Sequence, residues 1–210
     1  MYFFKFLLYI HVIGGGFALL LGTIILAKNK GEPAHRLLGK IYCYAMLASA
    51  LVSLPMSHIR SSSFLFVIGI FTSYMLISGK RALSLRSTGL NKKFDWGITI
   101  IMAIACLYFA GFGAFLIFRS INFGFVSIVF GLVGLLFVKQ DILNYLGKSK
   151  VKNYRLVTHL QRMIGSYIAS LTAFVVVNNK IVPPILGWLL PSILLVPLIV
   201  IWSRNYKLKL

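Results

Sequence analysis

The stretch Phe4–Lys40, FKFLLYIHVIGGGFALLLGTIILAKNKGEPAHRLLGK, sets the pattern of the whole chain. It opens with a long apolar run, continues with a short basic segment that contains a proline, and then enters a second apolar run. A helix of about 20 apolar residues is long enough to cross the roughly 30 Å of hydrocarbon in a bilayer. The stretch therefore predicts a spanning helix, a tight polar turn and the start of a second spanning helix.

The same pattern repeats along all 210 residues. We predict seven spans, at about Phe4 to Ala27, His35 to Pro55, Ser61 to Ser78, Asp95 to Phe118, Phe123 to Val138, His159 to Val177, and Pro184 to Trp202. With 59% hydrophobic residues, a soluble domain of this length would leave too much apolar surface in water. We expect an all-α polytopic membrane protein whose seven transmembrane helices form one bundle, with residues 1–210 as a single domain.

Basic residues are concentrated in alternate gaps between these spans. Eighteen of the 22 lysines and arginines fall on one side: Lys28, Lys30, Arg36, Lys40, Lys80, Arg81, Arg86, Lys92, Lys93, Lys139, Lys148, Lys150, Lys152, Arg155, Arg162, Arg204, Lys207 and Lys209. The other side holds Lys5, Arg60, Arg119 and Lys180. Because cytoplasmic loops carry an excess of Lys and Arg, we predict an N-out, C-in, multi-pass protein of the bacterial cytoplasmic (inner) membrane.

The formal charge of +19 also bears on the partners. In a soluble chain it would suggest nucleic acid, but here the cations flank apolar spans, so we expect the lipid bilayer with anionic lipid headgroups and no nucleic acid. The first apolar run is too long for a signal peptide and lacks a cleavage site, which predicts a retained first span. Cys43 and Cys106 have no metal-ligand spacing, and we interpret them as small buried hydrophobic residues.

Four histidines are the ionisable groups that need an explanation, because such groups are costly at membrane depth. The topology sorts them into an outer pair, His11 and His58, and an inner pair, His35 and His159. His11 lies about 10 Å along the first span at 1.5 Å per residue. The inner pair lies at the heads of the second and sixth spans. Each pair contains imidazoles from two different helices.

Two such imidazoles can ligate a haem iron axially. Arg36 and Arg162 stand beside the inner pair and carry guanidinium groups that can neutralise haem propionates. We leave the cofactor unassigned, with haem b as the candidate and His35 and His159 as its iron ligands. A quinone held by hydrogen bonds is the other candidate, and either ligand implies an electron-transfer partner. An interfacial histidine can also simply form hydrogen bonds or face lipid.

Two further classes of membrane protein have weaker support. A zinc hydrolase needs three or so ligands at one depth, and only His35, His159 and Asp141 are candidates. A carrier needs a polar pathway at mid-depth, and the serines of the second and sixth spans can instead bond to their own helix carbonyls. Glycines such as Gly22, Gly113 and Gly131 predict close helix packing.

Two segments resemble the signature of a bacterial membrane protein family. They are His11-Val12-Ile13-Gly14-Gly15-Gly16 with His35-Arg36-Leu37-Leu38-Gly39-Lys40-Ile41-Tyr42, and His159-Leu160-Gln161-Arg162-Met163-Ile164-Gly165-Ser166-Tyr167. The family is filed as domain of unknown function 2306, and the likeness extends over nearly the whole chain. It implies no activity. It points to His11, His35 and His159 as cofactor-binding candidates, with Arg36, Arg162 and Tyr42 beside them.

These observations favour an integral inner-membrane protein of unassigned activity. The working hypothesis is a haem- or quinone-associated redox protein that uses His35 and His159 near the cytoplasmic face. The alternative is a non-enzymatic membrane protein, either a small-solute carrier or an interaction subunit, in which the same residues form a polar cap without a cofactor. Whether the chain is an enzyme stays open at this point.

Overall fold

The computed structural model describes residues 2–84, 92–181 and 183–208. Their regular structure consists of seven helices: α1 Tyr2–Ala27, α2 Pro33–Ile59, α3 Ser63–Ser84, α4 Lys92–Phe118, α5 Phe123–Tyr145, α6 Tyr154–Asn178 and α7 Pro184–Leu208. Each has a stretch long and apolar enough to cross a membrane. The expected all-α fold with seven transmembrane helices is confirmed.

Several helices continue beyond the end of their apolar run. The prediction ended the fifth span at Val138, but α5 continues to Tyr145, because no glycine or proline interrupts it before Gly147. Gly147 has a φ of +69°, and the amides of Gly147 and Lys148 bond to the carbonyls of Asn144 and Leu143 at 3.2 and 2.9 Å. This is the usual glycine-terminated helix end. Asp141 therefore lies on a spanning helix rather than in a loop.

Similar corrections apply to the second and third spans. α2 passes through Pro55 and ends at Ile59, because the local loss of one backbone hydrogen bond is tolerated in membrane helices. α3 continues to Ser84, so that Lys80 and Arg81 lie on its last turns. Arg81 forms an ion pair with Asp95 at the start of α4. These helices thus continue through polar residues instead of ending where the apolar run ends.

Five of the helices pack as successive neighbours, and the other two form a hairpin beside them. α1 packs on α2, α2 on α3, α3 on α6, and α6 on α7, while α4 and α5 form a hairpin that contacts α3. One cluster of buried side chains joins α1, α2, α3 and α6 around Met46, Leu76 and Tyr167. Another joins α3 to the hairpin around Phe71 and Met102. Cys43 and Cys106 are free and buried, as predicted.

Glycines set the spacing of the α4–α5 hairpin. A Cβ atom on Gly113 would lie 2.6 Å from the carbonyl oxygen of Gly124, and one on Gly131 would lie 2.9 Å from the carbonyl oxygen of Cys106. Neither position has room for a side chain, because the two backbones touch there. Gly16 and Gly111 instead face open space. The predicted role in close helix packing is thus correct for Gly113 and Gly131, which lie at the contact between α4 and α5, and not for Gly16 and Gly111.

The helix ends gather at two opposite ends of the bundle. The Lys30 ammonium lies 4.3 Å from the Trp202 ring centroid, which joins the α1–α2 turn to the end of α7. His159, near the start of α6, bonds to Gly79, near the end of α3. We call this side the basic end. The helix ends found at the basic end are those that the distribution of cations grouped together. Four of the predicted cations lie wholly or in their side chains outside the described residues, namely Arg86, Lys209, Lys92 and Lys207.

We expect Gly124→Ala to destabilise the protein, because the new Cβ would lie 2.7 Å from Ile117 Cγ1 and 2.9 Å from the Ile117 nitrogen. Overpacking of this kind costs about 1–3 kcal/mol. Gly111→Ala on the same hairpin is the matched control, since nothing lies within 4 Å of its Cβ position. Thermal unfolding in detergent measures both. Equal melting temperatures would contradict the steric argument.

Candidate functional site

A cavity of about 580 Å³ lies at the basic end between α1, α2, α3, α6 and α7. His35 of α2 and His159 of α6 both line it, so the structure brings the predicted inner pair to one site. We call it the basic cavity. Its volume falls within the roughly 300–1,000 Å³ that is typical of small-molecule sites.

His159 is held in a defined state by the backbone of α3. Its Nδ1 lies 2.9 Å from the carbonyl oxygen of Gly79. Because a carbonyl only accepts hydrogen bonds, Nδ1 must carry the proton and donate. In the neutral ring, Nε2 then keeps its lone pair, and this is the arrangement that ring nitrogens adopt when they ligate a metal. His159 can therefore serve as a ligand or as a hydrogen-bond acceptor.

His35 lies within the first turn of α2, just after Pro33. Its Nδ1 atom is buried and has no hydrogen-bond partner among the described residues. A buried polar atom left without a partner costs about 1–3 kcal/mol. His35 lines the basic cavity, so a ligand or water in that space could bond to this nitrogen.

Four cations line the cavity, namely Lys30, Arg36, Lys40 and Lys80, and no carboxylate among the described residues does so. Arg36 Nε donates to the Gly31 carbonyl at 2.8 Å, and Lys80 donates to the Tyr44 hydroxyl at 2.5 Å. The field in the cavity is therefore positive and attracts anionic groups.

Lys30 has a structural role at the edge of this cavity. Its ammonium donates to the carbonyls of Ile25, Leu26 and Lys28 at 2.9, 2.8 and 2.9 Å, which satisfies the open carbonyls at the end of α1. Burial lowers the pKa of the Lys30 ammonium. The three hydrogen bonds nevertheless hold the ammonium at the end of α1.

Two tyrosines form the inner wall of the cavity. The Tyr42 hydroxyl donates to Ser166 Oγ at 2.9 Å, because the Ser166 proton is already donated to the Met163 carbonyl. The Tyr167 hydroxyl bonds to Thr23 Oγ1 at 2.7 Å, and its ring lies against Gly22, where no Cβ would fit. Apolar side chains of α1 and α6 form much of the remaining wall. The site therefore suits an amphipathic ligand with an apolar body and an anionic end.

Arg162 does not line the basic cavity. Its side chain is fully buried, and Nη2 lies 2.9 Å from Asp141 Oδ1 and 3.0 Å from the Phe137 carbonyl oxygen. The Tyr74 hydroxyl donates to the other Asp141 oxygen at 2.6 Å. The charge of Arg162 is thus balanced by Asp141 and is not directed at a propionate, in contrast to the predicted arrangement.

His11 also lies away from the cavity. Its Nδ1 is 3.0 Å from the carbonyl oxygen of Ser49, and the Ser49 hydroxyl donates to the His11 carbonyl at 2.9 Å. These bonds join α1 to α2. His58 is exposed near the other end of α2. Neither of the two outer histidines therefore lies at the cavity that His35 and His159 line.

The zinc-hydrolase alternative predicted from His35, His159 and Asp141 can be checked against the described residues. Among the residues that the structure describes, no group of three His, Cys, Asp or Glu could hold a metal ion. Asp141, the candidate third ligand, is bonded to Arg162 and Tyr74 instead. The zinc alternative therefore lacks its ligand set in this part of the chain.

Sequence reasoning missed two features of this region. It did not identify Lys30, Lys80 and Trp202 as cavity residues, because their contribution depends on how α1, α3 and α7 pack. It also missed the Asp141–Arg162 pair, because it placed Asp141 in a loop. The absence of a helix-breaking residue between Val138 and Gly147 was the available signal.

Comparisons of the chain with protein-family models, with curated proteins and with solved structures find no match. The resemblance to the family filed as domain of unknown function 2306 therefore stays a prediction that rests on its motif residues.

We expect Arg162→Gln to lower the stability by about 3–5 kcal/mol, because it leaves the Asp141 carboxylate buried without a counter-charge. Adding Asp141→Asn should recover most of this loss, since two neutral amides can keep hydrogen bonds to Tyr74 and to the backbone. Thermal unfolding of both variants in detergent tests this. A double variant as unstable as the single one would show that the lost charge balance is not the cause.

Proposed function

We propose that this chain is an integral membrane protein that binds a redox ligand in the basic cavity, with haem b as the first candidate. His35 and His159 would hold its iron. The observation that carries the proposal is the convergence of these two imidazoles, from different helices, on one cavity of about 580 Å³. The motif that resembles the family filed as domain of unknown function 2306 includes the same two positions. We propose membership of that family on its motif residues alone.

The residues present fit a haem. The Gly79 carbonyl fixes the proton of His159 on Nδ1 and leaves Nε2 available to a metal. His35 has a buried ring nitrogen in need of a partner beside the same cavity. Apolar walls suit a macrocycle, and the lining cations suit its two carboxylates. A bound haem b would supply one-electron redox chemistry.

Each group of cavity residues has a defined part in such binding. The Gly79 carbonyl orients the His159 ring, while Arg36 and Lys40, which are exposed at the rim, would neutralise carboxylates of the ligand. Tyr42 and Tyr167 are buried at the inner wall and would keep water away from the apolar body of the ligand. Arg162 takes no part in binding the ligand, because its guanidinium is paired with Asp141.

A quinone is the second candidate, and the state of His35 favours it. A buried imidazole nitrogen without a partner can bond to a quinone carbonyl or quinol hydroxyl, and His159 Nε2 can accept from a hydroxyl on the other side. A quinone held in this way would not require both imidazoles to reach one metal ion. A chain that binds neither ligand would instead be a carrier or an interaction subunit with a polar cap.

We also propose that the basic end faces the cytoplasm of a bacterial cell, so that the N-terminus is outside. The support is that 18 of the 22 Lys and Arg residues belong to this side by sequence. Lys40 and Arg204 are exposed there, where anionic lipid headgroups of the inner membrane would contact them.

Purification after expression with added haem should give a protein with a Soret band that shifts on reduction with dithionite. We expect His35→Ala and His159→Ala each to change or abolish that band, because each removes one axial ligand. His58→Ala is the matched control, since this histidine is exposed and lies outside the cavity. A protein without a Soret band, or a band that both cavity variants leave unchanged, would refute haem ligation by this pair.

A short-chain quinone should quench the fluorescence of Trp202, which lines the cavity. Gly39→Phe should weaken this binding by tenfold or more, a factor that corresponds to about 1.4 kcal/mol. Gly39 lines the cavity and has nothing within 4 Å of its Cβ position, so a ring attached there would occupy part of the binding space. Gly111→Phe is the control in equally open space outside the cavity. Equal quenching in both variants would exclude this site for quinones.

A further inference from the structure

The space between α5 and α6 is bridged by polar side chains. Among the described residues, the backbones of these two helices do not pack closely on each other. Three side-chain pairs cross the space: Asn144 with Thr158 at 3.3 Å, Gln140 with Gln161 at 2.9 Å, and Asp141 with Arg162 at 2.9 Å. Polar side chains between spanning helices have no water from the lipid to bond to. This row of pairs therefore defines a hydrophilic region inside the bundle.

The innermost member of this row has unmet hydrogen-bond donors. Arg162 is fully buried, and its Nε and Nη1 atoms have no partner among the described residues. Nη2 alone serves both Asp141 and the Phe137 carbonyl. The rings of Phe137 and Tyr74 lie 4.0 and 5.2 Å from the guanidinium carbon, but an aromatic face does not replace an oxygen acceptor in the guanidinium plane.

The missing acceptor is best supplied by a small neutral molecule. The charge of Arg162 is already balanced by Asp141, so a further anion would add an uncompensated charge. Unmet donors on a buried cation cost more than the immobilisation of a water molecule. Water meets both requirements, and the polar pairs beside Arg162 offer the two or more partners that an internal water needs.

The row also extends toward the basic end of the bundle. Asn144 is one residue from the end of α5, and Thr158 lies in the first two turns of α6, so this pair stands at the basic end. Asp141 and Arg162 lie about one helical turn, or roughly 5 Å, further in. A molecule that enters beside Asn144 therefore has hydrogen-bonding groups along its way to the guanidinium.

We propose that a short file of internal water fills the space between α5 and α6, from Asn144 and Thr158 to the unmet donors of Arg162. This file exchanges with water at the basic end and gives Asp141 and Tyr74 a route for proton exchange. It is distinct from the basic cavity, which neither Asp141 nor Arg162 lines. The inference therefore stands whether or not a redox ligand occupies that cavity.

Radiolytic hydroxyl-radical labelling of the full chain in H₂¹⁸O tests the proposal, because bound water is converted to radicals where it lies. We expect the buried Tyr74 to be labelled several-fold faster than Phe109, after correction for the intrinsic reactivity of each ring. Phe109 of α4 is the reference, since its side chain is also buried but lies against the rings of Phe66 and Tyr108. Equal corrected rates at the two rings in the unmodified protein would overturn the proposal.

Two variants identify the route. Asp141→Leu combined with Arg162→Met removes the polar end of the file, and Tyr74 labelling should fall to the Phe109 level. Asn144→Leu should slow the appearance of ¹⁸O at Tyr74 after mixing, because it closes the entry. Ser127→Ala is the control, as this hydroxyl is satisfied by the Phe109 carbonyl at 2.8 Å in the α4–α5 hairpin. Tyr74 labelling that survives in a folded double variant, or ¹⁸O that appears as fast in Asn144→Leu, would also overturn the proposal.

Discussion

Hydrocarbon offers no hydrogen bonds, and this constraint governs every level of the molecule. Backbone amides and carbonyls must be satisfied within each segment, so the spanning parts of the chain are helices. Side chains obey the same rule. Arg162 can be fully buried only because Asp141 supplies a carboxylate and α5 a carbonyl. Among the described residues, buried ring or guanidinium nitrogens of His35 and Arg162 have no partner, and both of our proposals start from these atoms.

Helix α6 connects the two polar regions of the bundle. His159 and Arg162 are about one turn apart on it, and both meet α3 at Gly79. The imidazole donates to the Gly79 carbonyl, and Arg162 leaves no room for a side chain on that glycine, because a Cβ there would lie 2.6 Å from the Arg162 Cβ. From this contact His159 turns to the basic cavity, whereas Arg162 reaches α5. The basic cavity and a buried ion pair therefore share one helix contact.

Much of this architecture was predictable from the order of residues. Long apolar runs predicted the number of spanning helices, and the uneven cations predicted which helix ends lie together. The pairing of His35 with His159 followed from that grouping and is seen in the basic cavity. The position of Asp141 was predicted wrongly, because the end of an apolar run was taken as the end of α5. A helix continues through polar residues until its backbone is interrupted, here at Gly147.

By itself, the sequence determined the all-helical class, the seven spans and the crowding of cations at one end, because hydropathy and helix length act locally along the chain. Only the tertiary structure decided which neighbours each polar group meets. In the fold, Arg162 pairs with Asp141 and does not line the cavity. His11 bonds to α2, and the Lys30 ammonium lies against the Trp202 ring. These choices depend on the rotation and spacing of packed helices, which are properties of pairs of helices and not of any one segment.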